Sequence, residues 1–487
     1  MVVEADIRSG LPGFTIVGLG DKAVREARER VRAAVVNSGF EFPNKRVTVN
    51  LAPAYLRKAG PGFDLPLAVA VLAASGQLEP ESIEDCAFAG ELSLTGELAP
   101  IRGALAIAEG TRRHGLARLV LPASRAGEAA LVDGVDVLGV RSLQEAVDVL
   151  AGRAEAPDTV PSAVGPPNLE APDLADVRGH NALVPAILVA AAGGHNLYLH
   201  GPPGTGKTML ARRLPSILPP LSRSEAIEVT RIQSVAGLHS GGGLVETRPF
   251  RAPHHTISAA GLVGGGGTPM PGEVTLAHEG VLFLDELSEF ARPALEALRQ
   301  PLEDGHVVIV RAQRVLGFPS RCMLVAASNP CPCGFGDERC RCSAADLGRH
   351  ARRLSGPLLD RIDVTLAVER PSARALHEQA APSSATLRER VLAARERQAR
   401  RFGDLGVACN AQMTPRMVRE LTGATPAALR LLSELHDRSR LSARGHHRVL
   451  RVARTVADLE GSVPVTPDHV ATALAHRTDA VPLAAAA

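Results

Sequence analysis

Eight residues constrain this chain more than any others: Gly201-Pro202-Pro203-Gly204-Thr205-Gly206-Lys207-Thr208. Two glycines five positions apart, followed by lysine and a hydroxyl, have the spacing of a phosphate-cradling turn. Glycines let successive backbone N–H groups turn inward around an anion, and the start of a helix favours negative charge. The context fits. Asn196–His200 reads as a short apolar strand before the turn, and a helical pattern follows it. Lys207 is placed to reach β and γ phosphates, and Thr208 to ligate Mg²⁺. The competing reading is a Gly/Pro turn with an incidental lysine. Lysine is scarce here, however: of 54 basic residues only Lys22, Lys45, Lys58 and Lys207 are Lys. That skew is most simply a codon bias, and a lysine retained at this position stands out.

Further along, Gly280-Val281-Leu282-Phe283-Leu284-Asp285-Glu286 is an apolar strand that ends in two carboxylates. Asp285 would hold the water shell of Mg²⁺, and Glu286 would polarise an attacking water. Alone, such a strand could be an ordinary strand-to-helix turn; with the upstream loop it becomes the second half of a nucleotide site. Asn329 ends the apolar run Leu324–Ser328 and either orients that water or starts an Asn-Pro turn. Arg361, in Leu358-Leu359-Asp360-Arg361-Ile362-Asp363, has acidic neighbours. It is either a structural ion-pair partner or a finger reaching a neighbouring subunit's phosphate.

At roughly 150 residues per domain, 487 residues suggest about two to four domains. Residues 153–172 carry five prolines and no apolar periodicity, which reads as a linker. Before it, Phe14–Val17, Arg46–Leu51, Arg118–Pro122 and Val135–Val140 read as strands. Asp21–Ser38, Asp64–Ser75 and Gly103–Gly115 read as helices. After it, strands and helices alternate as in a parallel sheet with crossovers. From about Ser372 the chain reads helical: Thr386–Phe402, Thr414–Thr422, Pro426–Ser442, His446–Glu460 and Pro467–His476. The Ala-rich tail reads as frayed. The expected division is 1–152, a linker over 153–172, a core over 173–371 and a helical lid over 372–480.

Composition excludes several classes. Hydrophobic residues are 45% and charged residues 22%, so a core is easily built. A net charge of +2 is unlike a polycation. With 11 Phe, 2 Tyr and no Trp, stacked-aromatic binding is disfavoured. No apolar run reaches 18 residues, so no membrane span is expected. Seven cysteines, four of them within twelve residues, suit a reducing cytoplasm rather than a disulfide framework. Cys331, Cys333, Cys340 and Cys342 form two C-x-C pairs with the capacity for a tetrahedral Zn²⁺ site. Redox thiols or another metal remain open. His254 and His255 lack acidic partners at ligand spacing and read as polar loop residues. The Arg-rich run Arg388–Arg401 reads as a solvated helix face.

Phosphate loop, Asp-Glu strand, strand-end Asn329, the Leu-Leu-Asp-Arg run and a helical lid together resemble an AAA+ ATPase. The Gly- and His-rich stretch Gly237–Glu279, with Phe250-Arg251-Ala252-Pro253-His254-His255-Thr256, is similar to a helix-2 insert. Val307–Val315 is similar to the pre-sensor hairpin of magnesium-chelatase-like ATPases and replicative helicases. Leu441–Arg454 resembles the sensor-2 helix of the YifB/ComM group. On that resemblance Arg448 is the nucleotide-sensing arginine, with Arg444 as its rival. Lys58–Pro66 and Gly90–Ile101 look like the Lon protease C-terminal domain, an α+β fold of the ribosomal S5 domain 2 type. Gly62 and Leu105 stand where a nucleophilic Ser and its Lys would be, so protease chemistry is not expected. The resemblance covers nearly the whole chain. It also implies a short first stretch that this chain lacks, which leaves the first strand open. It implies a homo-oligomeric, hexameric ring that hydrolyses ATP with Mg²⁺ and acts on single-stranded or branched DNA, as in branch migration during transformation. Arg251, Arg311 and Arg314 are then candidate phosphate-backbone contacts; solvated surface arginine is the alternative. A chelatase-type motor that remodels a protein partner is the second reading.

Overall fold

A computed structural model describes residues 1–18, 20–56, 58, 60–157, 172–239, 243–266, 269–311, 314–336, 338–354, 358–377, 380–437 and 441–477. Most of the expected linker, residues 158–171, and the Ala-rich tail lie outside the described residues. The chain divides into two compact units. One is Met1–Pro167 with Ala226–Val245; the other is Asn168–Glu225 with Glu246–Ala487.

In the first unit the strand Arg46–Ala52 is central. Val47, Val49 and Leu51 alternate inward and are buried, as a half-covered strand requires. It pairs in parallel with Gly13–Val17 and antiparallel with Val2–Arg8. The strand Val2–Arg8 was not expected from the sequence. Its inward residues Val3, Ala5 and Ile7 are small or only partly buried, and Glu4, Asp6 and Arg8 alternate with them. The helix Lys22–Asn37 starts where Asp21 accepts the Val24 N–H at 2.9 Å. It buries Val24, Ala27, Val31 and Ala34 at helical spacing. The helix Asp64–Ala74 is apolar on almost every side and is enclosed accordingly. A second sheet joins Cys86–Phe88, Arg118–Pro122 and Asp136–Val140 in parallel. Residues from Ala226 to Val245 complete this unit: Arg231 pairs with Glu109, and Ser234 donates to Glu128.

The second unit is built on a five-stranded, wholly parallel sheet in the order Phe250–Arg251, Val281–Leu284, Met323–Ser328, Leu197–His200, Val364–Ala367. Its three central strands are buried almost throughout, which is why they read as continuous apolar runs rather than alternating ones. The outer two were not expected as strands. The hairpin His306–Arg311 with Arg314–Pro319 stands outside this sheet, with Val310 opposite Val315.

Five helices follow: Ser384–Phe402, Pro415–Leu421, Pro426–Asp437, Ala443–Glu460 and Pro467–Ala475. Three begin at proline, whose missing N–H is unneeded in a first turn. The Arg-rich run corrects one expectation. Arg395 donates to the Ala191 carbonyl, Arg397 to the Asp458 carbonyl, and Arg401 to the Asp458 carboxylate. These arginines tie the helix inward instead of forming a purely solvated face. Asp458 is buried and also pairs with the buried Arg454 at 3.1 Å. Removing the carboxylate takes the counter-charge from two guanidinium groups, Arg401 and Arg454. Asp458→Ala is expected to lower stability by about 3–5 kcal/mol, measured by denaturant unfolding of this unit's transition.

Candidate nucleotide site

Parallel strands bring their C-terminal ends to one edge of a sheet, and ligands bind there in open α/β folds. Three neighbouring strands deliver Gly201, Asp285 and Asn329 to that edge. Gly201 must be glycine: a Cβ there would lie 2.1 Å from the Val368 carbonyl oxygen. Gly206 caps the helix Lys207–Arg213 at φ 91°, a left-handed conformation that side chains resist.

The Lys207 ammonium donates to the carbonyls of Gly201 at 2.6 Å and Pro202 at 2.8 Å, and to Asn329 Oδ1 at 3.1 Å. Burial lowers its pKa, while the Asp285 and Glu286 carboxylates oppose that shift. Thr208 Oγ1 donates to Asp285 Oδ2 at 2.7 Å. Two hard oxygens this close suit one small divalent cation, so the pair fits Mg²⁺. Residues expected from separate motifs thus meet in two pairs, Lys207 with Asn329 and Thr208 with Asp285. Glu286 follows at φ 52°, a sparsely populated conformation for a non-glycine residue.

Sequence reasoning missed one neighbour. His255 Nδ1 lies 3.4 Å from Glu286 Oε2, and its ring stands edge-on to Phe290 at 6.5 Å. His255 follows the strand Phe250–Arg251, which pairs in parallel with Val281–Leu284. Recognition of that two-residue strand would have placed His255 at the same edge. The acidic partner that its spacing lacked comes from 31 positions away along the chain.

Arg361 and Arg448 lie elsewhere. Arg361 pairs with Glu303, and the Asn196 side chain holds its carbonyl at 2.9 Å. Arg448 donates to the Ile362 carbonyl at 3.1 Å. Both line a cavity of about 640 Å³ with Arg444, Arg451, Glu303 and Asp360. Asn196, Gly280 and Met323, which precede or begin strands, also line it, and no phosphate-loop residue does. The cavity therefore sits at the opposite edge of the sheet. Strands of four to six residues put about 13–20 Å between the edges.

Glu279 lines the same cavity. Burial, and then the neighbouring Glu225 carboxylate, push its pKa up to about 7 from 4.5. Between those values the folded chain holds a proton that the unfolded chain has released. The stabilisation is complete below the unfolded value and is lost as pH rises through about 7. Glu279→Gln keeps this position neutral at every pH. Its melting temperature relative to the parent chain is expected to climb by a few degrees from pH 5 to pH 8, followed by calorimetry.

Arg251, a candidate nucleic-acid contact, is held by Glu273 through two bonds of 2.6 and 2.8 Å. Arg311 and Arg314 face each other in the hairpin register, next to the exposed Val310 and Val315; their side chains lie outside the described residues. The four clustered cysteines place all their sulfurs within 4.8 Å of one another, an arrangement consistent with zinc. No described helix is long and apolar enough to cross a membrane.

Residues 3–125 match the family described as subunit ChlI of Mg-chelatase, residues 173–376 magnesium chelatase, subunit ChlI, and residues 381–477 its C-terminal family. Sheet, loop and match define a magnesium-chelatase-like AAA+ protein, a class whose core implies an ATPase. An uncharacterized protein of Mycobacterium tuberculosis is 47% identical over 484 residues, covering 98% of this chain and 95% of its own. YifB of Escherichia coli is 42% identical over 480 residues, with coverages of 98% and 94%. Competence protein ComM of Haemophilus influenzae is 41% identical over 487 residues, again with 98% and 94%. The chain belongs to the YifB/ComM family.

Proposed function

We propose that this protein is a cytoplasmic, ring-forming motor, a hexamer, that couples Mg²⁺-dependent ATP hydrolysis to movement on single-stranded or branched DNA. The observation that carries the ring is the division of the site between the two edges of the sheet. The backbone of Gly201–Thr208 and Lys207 bind the triphosphate. Thr208 and Asp285 hold Mg²⁺, which offsets phosphate charge when bound. Glu286 accepts a proton from the attacking water, and Asn329 orients that water. Arg361, with Arg448 beside it, belongs to the far edge and so serves the phosphate loop of a neighbouring copy.

Two features support DNA as the track. Val310 and Val315 are 69% and 68% exposed at the hairpin tip, flanked in sequence by Arg311 and Arg314. A relative similar along nearly its whole length is named a competence protein. Arg251, being paired with Glu273, would contact DNA only by exchanging that partner. The first unit is proposed to be a Lon-like domain without protease chemistry, since Gly62 offers no nucleophile and Leu105 is buried and offers no base.

The test is the steady-state ATPase rate without DNA, with single strands and with a branched junction, using Glu286→Gln as the blank. Stimulation greatest on the junction supports the motor. A rate indifferent to every DNA rejects it and favours a chelatase-type motor that remodels a protein partner; the matched family is named for magnesium chelatase.

A further inference from the structure

The loop that carries the four cysteines begins and ends on one residue of the nucleotide site. Asn329 stands two positions before Cys331, and its Oδ1 accepts from Lys207 at 3.1 Å. The helix Ala344–Leu354 starts two positions after Cys342, and its His350 Nε2 lies 3.0 Å from the Asn329 carbonyl oxygen. Midway along the loop, Gly334 at φ 86° rests on the phosphate loop: a Cβ there would lie 3.0 Å from Pro203 Cδ and 3.1 Å from its Cγ. The thiol-bearing segment thus touches the nucleotide site at both ends and in the middle.

The donors suit one soft, tetrahedral ion. Cys331 Sγ lies 3.3 Å from Cys333 Sγ and 3.6 Å from Cys340 Sγ, and all four sulfurs fall within 4.8 Å. A tetrahedron of metal–sulfur bonds of about 2.3 Å requires sulfurs about 3.8 Å apart, inside that range. Between Asn329 and the helix Ala344–Leu354 the described residues form no helix or strand. Four metal–thiolate bonds would be the main restraint on the shape of this loop.

We infer that Zn²⁺ bound by Cys331, Cys333, Cys340 and Cys342 is energetically coupled to nucleotide bound at Gly201–Thr208, the metal bracing Pro203 from the side and Asn329 from behind. The inference rests on the nucleotide assignment above. Coupling of this kind is reciprocal: whatever factor zinc adds to nucleotide affinity, nucleotide adds to zinc affinity.

The experiment uses the full chain. Zinc per chain is measured by atomic emission. A fluorescent ATP analogue is then titrated by anisotropy into zinc-loaded protein and into protein stripped with a mercurial and a chelator, then returned to thiol. Zinc affinity is measured by chelator competition with and without a non-hydrolysable ATP analogue. One zinc per chain is expected, with about tenfold weaker analogue binding after stripping and the same factor in zinc affinity. Circular dichroism tracks folding of the stripped chain. Gly334→Ala tests the contact without touching a ligand: zinc content should stay at one per chain while analogue affinity falls. Failure to bind zinc even when it is supplied overturns the metal site. Full zinc occupancy with analogue affinity unchanged by stripping overturns the coupling and leaves the ATPase assignment standing. Failure of zinc-loaded protein to bind the analogue overturns the nucleotide assignment itself.

Discussion

Arg361→Ala is expected to reduce ATP turnover by about 10³–10⁵-fold, with little change in ATP affinity. The guanidinium has no place in its own chain's phosphate site. It lies at the edge where strands begin, paired with Glu303 and beside Arg448. If it serves a neighbouring copy's site as proposed, its loss removes charge stabilisation in the transition state rather than ground-state binding, and kcat should fall while KM holds. Mixing supplies the sharper test. Arg361→Ala and Lys207→Ala chains are each inactive alone. Co-assembled, they create some interfaces at which an intact Lys207 meets an intact Arg361. Partial recovery of ATPase activity on mixing is expected; none would mean that Arg361 is only the structural partner of Glu303.

Glu286→Gln is expected to bind ATP as the parent does and to turn it over about 10²–10⁴-fold more slowly. Glutamine has nearly the same shape but takes no proton. Asp285 keeps its bond to Thr208, so the cation pair is undisturbed. Single-turnover hydrolysis with ATP binding measured in parallel separates the two effects. Equal loss of binding and turnover would place Glu286 among the binding residues instead.

The nucleotide loop and the Asp-Glu strand were legible because each is local. Glycine spacing, a lysine and a strand ending in carboxylates are read from a few consecutive residues. Helices such as Lys22–Asn37 were legible from their caps and apolar periodicity. The outer strands were not. Phe250–Arg251 has two residues, too few for any period, and Val364–Ala367 lies between acidic and proline-bearing neighbours. Without those strands, neither the position of His255 next to Glu286 nor the edge occupied by Arg361 could be derived. The pairing of Arg251 with Glu273 is equally hidden, since it joins residues 22 apart across an irregular insert.

The helix Arg223–Ala236 and the residues after it have a consequence for how this protein can be taken apart. The first unit is made of two separate stretches of chain, with Asn168–Glu225 of the second unit intervening. A single cut near residue 170 would leave the shorter stretch behind. Its Ile227 would then lose the apolar cluster of Ala104, Leu105 and Ala108 on which it packs, and Arg231 would lose Glu109. The two units are interleaved in the gene order, so neither can be transplanted, duplicated or lost as a simple cassette. A lineage that discarded the N-terminal unit would have to rebuild the start of the insert at the same time.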